Sequence, residues 1–221
     1  MLSSHRPDDS THEPRPIIPQ RRSEPIADPA WACELKLDGF RGLADTISGR
    51  LLSKNLNPLK RYRHLLDDLP FDCVFDGEVC ALDQDGRTDF NALLFRGKYP
   101  VYVAFDLLFY EREDIRHLPL KERRSMLDKV AKRYSIQKSD LFTGCSKKLY
   151  KTVCVLDLEG VVLKKLDHPY DAERTRWWKV PNPNYSQKVG RGELFYVMLN
   201  AIALKCISPG FSGRPSRLQA F

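Results

Sequence analysis

The chain lacks any Cys-x-x-Cys pair; its six cysteines stand apart at 33, 73, 80, 145, 154 and 206. Most of them lie in apolar surroundings, so neither a zinc site nor a disulfide framework is indicated, and reduced core thiols are expected. Long apolar runs are also missing. No stretch reaches the roughly 20 apolar residues needed to span a bilayer, and the N-terminus carries charge where a secretory signal would carry its apolar segment. These absences exclude a secreted disulfide scaffold and a membrane span, and they lead to the expectation of an intracellular protein. Charge of both signs is abundant, and the excess of basic residues gives a net charge of +7, a tilt towards polyanionic partners. At 221 residues the chain can bury one domain core of its own, and two complete domains are not expected.

Composition divides the chain into three parts. Residues 1–28 are rich in proline, serine and charge and read as an extended or disordered lead-in. Residues 29–188 alternate apolar runs with turn signals and form the domain proper, while 189–221 change character again. Within the domain, "ACELKLD" alternates strictly and sets Glu34, Lys36 and Asp38 on one face and Leu35 and Leu37 on the other. A tight turn at Asp38-Gly39 should lead into a second and third strand. "NPLKRYRHLLDDLP" reads as a helix, and "CVFDGEVCALDQDGRTDF" as a strand, a hairpin signal at Asp85-Gly86, and a short helix capped by Thr88. "VYVAFDLLFY" is apolar throughout and predicts a central buried strand. An amphipathic helix bearing Leu120, Leu127, Val130 and Tyr134, a helix near 147–156 and two closing strands complete the pattern. Strands and helices without regular alternation imply an α+β fold.

Five segments carry a resemblance. "KLDGFR" at 36–41, "FDGEV" at 75–79, "YVAFDLLF" at 102–109, "EGVVLKK" at 159–165 and "RTRWWK" at 174–179 follow one another in the order and approximate spacing of the nucleotidyltransferase motifs of ATP-dependent DNA ligases. Over roughly residues 29–188 the chain resembles their adenylation domain, especially the bacterial type. The resemblance implies two mainly antiparallel sheets with flanking helices and a nucleotide groove, ATP as co-substrate, Mg²⁺ as metal, and a nicked duplex as acceptor in DNA repair.

The same resemblance assigns roles. Lys36 is similar to the nucleophile that attacks the α-phosphorus of ATP to form lysyl-AMP. A free lysine has about one amine in 2,500 unprotonated at pH 7, so burial and the cations Lys164 and Lys179, with Mg²⁺, are expected to activate it. Phe105 offers a flat face for the purine, and Glu34 resembles the residue at the adenine edge. Arg41 and Glu78 look like the pair that grips the ribose hydroxyls. Glu159, with Glu78, resembles the metal-holding carboxylates, and Arg174 the arginine that reaches phosphate. Glu159 and Lys164 are five residues apart, which a regular strand would send to opposite faces, so a bulge or strand end must re-aim one of them, or Lys165 takes the part.

Three departures stand beside the match. Lys179-Val180-Pro181 replaces the family's Lys-x-Lys, removing one cation. Ser53-Lys54-Asn55 has lysine where the family has arginine, which loses the planar bidentate grip on phosphate. Residues 189–221 are too short for the family's OB-fold, so a partner protein supplying that barrel is one expectation. The alternatives are an RNA ligase or capping-type nucleotidyltransferase, or a truncated inactive remnant that only binds nucleic acid.

Overall fold

The computed structural model describes residues 14–95 and 99–188. Contacts divide the chain after Tyr185, and of the second unit, Ser186–Phe221, only a single 3-10 turn at Ser186–Lys188 lies among the described residues. The readings made for 189–221, and Cys206 with them, fall outside.

The first unit holds two five-stranded sheets. Numbering in chain order, one sheet runs β1 (Gln20–Arg21), β10 (Trp177–Pro181), β9 (Gly160–Lys165), β2 (Trp31–Leu35) and β8 (Phe142–Thr143). The other runs β4 (Arg50–Leu52), β3 (Phe40–Asp45), β5 (Val74–Ala81), β6 (Pro100–Tyr110) and β7 (Glu113–Asp114). Every pairing is antiparallel except β1 alongside β10. The α+β expectation holds.

Side-chain alternation gives each sheet an apolar outer face and a charged inner one. In the first sheet Cys33, Val161, Leu163 and Val180 pack together with Val153 of helix α3 (Ser146–Val155). Ala32 and Lys164 are register partners, as are Glu34 and Val162, so these four share the opposite face. In the second sheet Ala44, Phe75, Val79 and Tyr102 pack with Leu127 and Val130 of helix α2 (Leu120–Tyr134). Each such buried leucine or valine stabilises the fold by about 1.5–3 kcal/mol. Beside their charged residues the inner faces share a third apolar cluster, which includes Phe105 of β6, Trp177 of β10, Tyr170 and Ile17.

Several local expectations are corrected. The Asp38-Gly39 turn does not close a hairpin: β2 pairs with β8 and β9, β3 pairs with β4 and β5, and the chain crosses from one sheet to the other. Gly39 passes Val79 so closely that a Cβ there would lie 2.2 Å from its carbonyl oxygen, which only glycine allows. The 3-10 helix Lys60–Leu66 replaces the expected α-helix; Tyr62 and Leu65 sit on one edge, as a three-residue repeat requires. Helix α1 (Phe90–Phe95) is capped by Asp89, whose Oδ1 accepts from the Ala92 N–H at 2.9 Å, whereas the Thr88 hydroxyl accepts from the Asp38 N–H. β6 is the expected buried strand, between β5 and β7, because Tyr102, Ala104 and Leu107 pack into one cluster and Phe105, Leu108 and Phe109 into another; residues 137–139 add hydrogen bonds of 2.9 Å from Ala104 N to Gln137 O and from Ser139 N to Ala104 O.

The lead-in is also more structured than its composition implies. Ile17 is fully buried, its N–H donates to the Tyr170 hydroxyl at 3.1 Å, and β1 extends the first sheet, so the domain begins well before residue 29. Cys33, Cys73 and Cys80 are buried and free, and Cys145 and Cys154 are half-buried and free, as expected of reduced thiols. Among the described residues no helix is long and apolar enough to cross a membrane.

Candidate active site

The charged inner faces carry two lysine–glutamate pairs. Lys36 follows the last residue of β2; its N–H donates to the Gly160 carbonyl, and its Nζ lies 2.6 Å from Glu159 Oε1. Both side chains remain partly accessible, at 27% and 17%. The second pair is Lys164 of β9 with Glu34 of β2, and it is closed to solvent, at 0% and 3%. The Lys164 ammonium also lies 4.3 Å from the Phe105 ring centre and 3.8 Å from that of Trp177.

Gly160 resolves the spacing of Glu159 and Lys164. The strand begins at Gly160, so Glu159 stands just outside it and is re-aimed by the strand end while Lys164 keeps the regular inner-face position. At Gly160 φ is +148°, and a Cβ would lie 2.5 Å from the Val180 carbonyl oxygen, so glycine is needed for β9 and β10 to close.

Glu78 of β5 sits directly across the ladder from Arg41 of β3. Burial pushes its carboxyl up to about 8 from the ordinary 4.5; the charges of Lys36 and Arg41 pull the other way, and those of Glu159 and Asp76 add to the rise. Arg41 is held elsewhere. Its guanidinium makes a two-point contact of 2.5 Å with the fully buried Asp76 and lies 4.6 Å from the Phe105 ring centre. Tyr170 completes this group by donating to Asp76 Oδ2 at 2.7 Å.

Lys36, Glu159, Glu78, Arg41, Phe105, Lys164 and Glu34 thus form one continuous set, with two differences from expectation. The group touching Lys36 is a carboxylate, not the cation Lys164, and burial holds Lys164 below the usual lysine range despite Glu34. Phe105 is 8% exposed, with Lys164, Arg41 and Trp177 around its ring. Lys179 lies on the same face as Lys164, opposite Val162, and Pro181 follows opposite Gly160. Arg174 is exposed on the loop before β10, where its N–H donates to Asp171, and it is not brought against the set. Lys54 is an exposed turn residue after β4.

Sequence reasoning passed over the residues that hold this set. Asp76 was legible, two positions from Glu78 and hence on the same strand face. So were Arg123 and Arg124, three and four residues after Leu120 and therefore on the buried stripe of α2. Arg123 makes a two-point contact with Asp106 at 2.9 and 2.8 Å, both side chains being fully buried.

The sequence model described as "ATP dependent DNA ligase domain" matches residues 23–180. The multifunctional non-homologous end joining protein LigD of Pseudomonas aeruginosa is 36% identical over 163 residues, 67% of this chain and 19% of that protein. The SPbeta prophage-derived DNA ligase-like protein LigB of Bacillus subtilis is 28% identical over 189 residues, 78% of this chain and 68% of the relative. Among solved structures, mycobacterial DNA ligase D complexed with ATP and MES superposes with a TM-score of 0.62 at 26% identity, over 74% of this chain and 59% of that one. The chain therefore spans about a fifth of the LigD protein and about two thirds of LigB.

Proposed function

The chain belongs to the ATP-dependent DNA ligase domain family, and from that premise we propose that its cleft attaches AMP to Lys36 and passes it to the 5′-phosphate of a nicked DNA duplex. The observation that carries this reading is the Lys36–Glu159 contact: a partly accessible amine 2.6 Å from a carboxylate able to take its proton. Lys36 Nζ bonds to the α-phosphorus as the bond to the β-phosphate's bridging oxygen breaks; pyrophosphate leaves, and the amine proton passes to Glu159. A 5′-phosphate oxygen at the nick then displaces Lys36 from the AMP phosphorus, and a 3′-hydroxyl finally displaces AMP.

The other residues bind and orient. Glu34 reads the adenine edge, and Phe105 supplies the stacking face once the Lys164 ammonium withdraws from its ring. A stack of this kind is worth ~1–3 kcal/mol in base–aromatic systems. Glu78 and the edge of Arg41 that Asp76 leaves open receive the ribose, and Lys179 and the displaced Lys164 neutralise phosphate charge. Glu159 and Glu78 suit Mg²⁺, which takes one or two carboxylates and completes its shell with phosphate and water; the Glu78 carboxyl, raised first by burial and further by Glu159's charge, is one whose ionised form a cation there would favour. When bound, the metal would offset charge growing on the phosphates.

Intact mass after incubation with ATP and Mg²⁺ tests the reading. One acid-labile AMP should be added, none from GTP, and none in Lys36→Ala; no adduct, or one persisting in that variant, overturns it. Nick sealing, measured on 5′-phosphorylated and 5′-hydroxyl duplexes across a salt series, should need the phosphate and fall steeply towards ~200 mM salt as phosphate contacts are screened.

A further inference from the structure

Glu34 is held by a device that none of the motif residues supplies. Its Oε2 accepts from the Ser139 hydroxyl at 2.8 Å and lies 3.9 Å from Arg124 Nη1. The same Arg124 guanidinium donates to the Phe105 carbonyl oxygen at 2.9 Å, to Ser139 Oγ at 3.2 Å and to the Ser139 carbonyl at 2.5 Å. Ser139 is itself fixed to β6 through its N–H to the Ala104 carbonyl. Arg124, Ser139 and Glu34 are all buried, at 4%, 7% and 3%. One guanidinium on α2 therefore sets, through a serine and a backbone carbonyl, both the plane of the Glu34 carboxylate and the strand position that carries the Phe105 ring.

With Oε2 committed, Glu34 presents Oε1 to the inner face, where it meets the nitrogen donor Lys164. An ionised carboxylate only accepts hydrogen bonds. A base edge bearing an amino group can take the place of Lys164 at that oxygen. A base bearing a carbonyl oxygen there meets it with an unpaired acceptor in a dry site, which is costly. Resting on the function proposed above, we propose that Arg124 and Ser139 are positioning residues that give the pocket its choice of a 6-amino purine over a 6-oxo purine. They act through Glu34 and touch no nucleotide themselves. Arriving adenine releases Lys164 from Glu34, so the selective contact and the freeing of a cation for phosphate are one event.

The experiment compares adenylation of the full chain with ATP, with GTP and with purine riboside triphosphate, which lacks the 6-amino group. Ser139→Ala should lower kcat/KM for ATP by roughly tenfold, the ratio expected for one lost hydrogen bond to a charged group, and should change purine riboside triphosphate by less than about twofold. The preference for ATP over GTP should shrink in step, and Ser139→Thr, which keeps the hydroxyl, should restore it. Arg124→Met should behave as Ser139→Ala does where it folds. An equal fall with ATP and with purine riboside triphosphate is what a merely structural role would give, and it overturns the proposal, as does an unchanged ATP value. If the unaltered chain takes no label from any nucleotide, the function above fails instead. The clamp is then judged on dissociation constants for ATP and purine riboside triphosphate, where the same ratio must shift in Ser139→Ala.

Discussion

The inner face holds the same pair of residue types twice, and the two differ in burial. Lys164 and Glu34 are sealed between two aromatic rings and a buried serine, whereas Lys36 and Glu159 remain partly open to water. A sealed pair is costly to desolvate and damaging to break, so it behaves as part of the scaffold until a ligand replaces one partner. An open pair is worth little to stability, and its lysine is free to move and react. Position relative to solvent, rather than residue type, separates a lysine that organises the cleft from one that can do chemistry in it.

The sharpest way to break this comparison is at the nucleophile. Lys36→Arg keeps the charge beside Glu159 but has no amine to form the phosphoramidate, and AMP capture seen by intact mass should fall below detection. Lys164→Arg should leave capture measurable. Equal loss in both variants would erase the distinction.

Stability separates the pairs next. Glu34→Ala leaves the Lys164 ammonium buried against rings alone and should cost about 3 kcal/mol in urea unfolding. Lys164→Met should cost less, because Ser139 and Arg124 still face Glu34. Lys36→Ala should cost no more than ~1 kcal/mol.

A pH-dependent effect follows from Glu78, which faces Lys36, Arg41, Glu159 and Asp76. Its carboxyl is raised from 4.5 to about 8 in the folded chain, so between those values the native state binds more protons than the unfolded one. Stability is therefore fullest below pH 4.5 and falls as pH rises through that window. Glu78→Gln should flatten the decline when urea midpoints are compared at pH 5 and pH 8; an unchanged slope would assign the decline to another group.

The smallest effect concerns the missing cation. Pro181→Lys places an ammonium two residues along the strand from Lys179, on the same face, and should speed single-turnover AMP transfer a few-fold. An unaltered rate would mean that another group already supplies that charge.

Much of the site was legible because strand alternation is strict. Glu34 on the inner face follows from period two, the buried run around Phe105 from its unbroken apolar character, and the pairing of Arg41 with Glu78 from the family resemblance. What escaped depended on contacts between distant segments. Nothing local says that Ile17 will bury itself under Tyr170, since the neighbouring residues read as a tail. The 3-10 winding at Lys60–Leu66 closes its turns over three residues rather than four, a choice that the apolar spacing of so short a segment does not decide. The position of Lys164 escaped for a different reason: sequence can place it on the cleft face, but only the approach of β2 decides that Glu34, rather than a phosphate, is its partner.

Among the described residues, both sheets taper. β1 and β8 border one and β7 borders the other with two residues each, and β4 closes the last side with three. Unpaired backbone at such borders is too brief to template a strand from a neighbouring molecule. Two copies of the described sheets brought side by side therefore have little border along which to zip together, and crowding need not become polymerisation through these four strands.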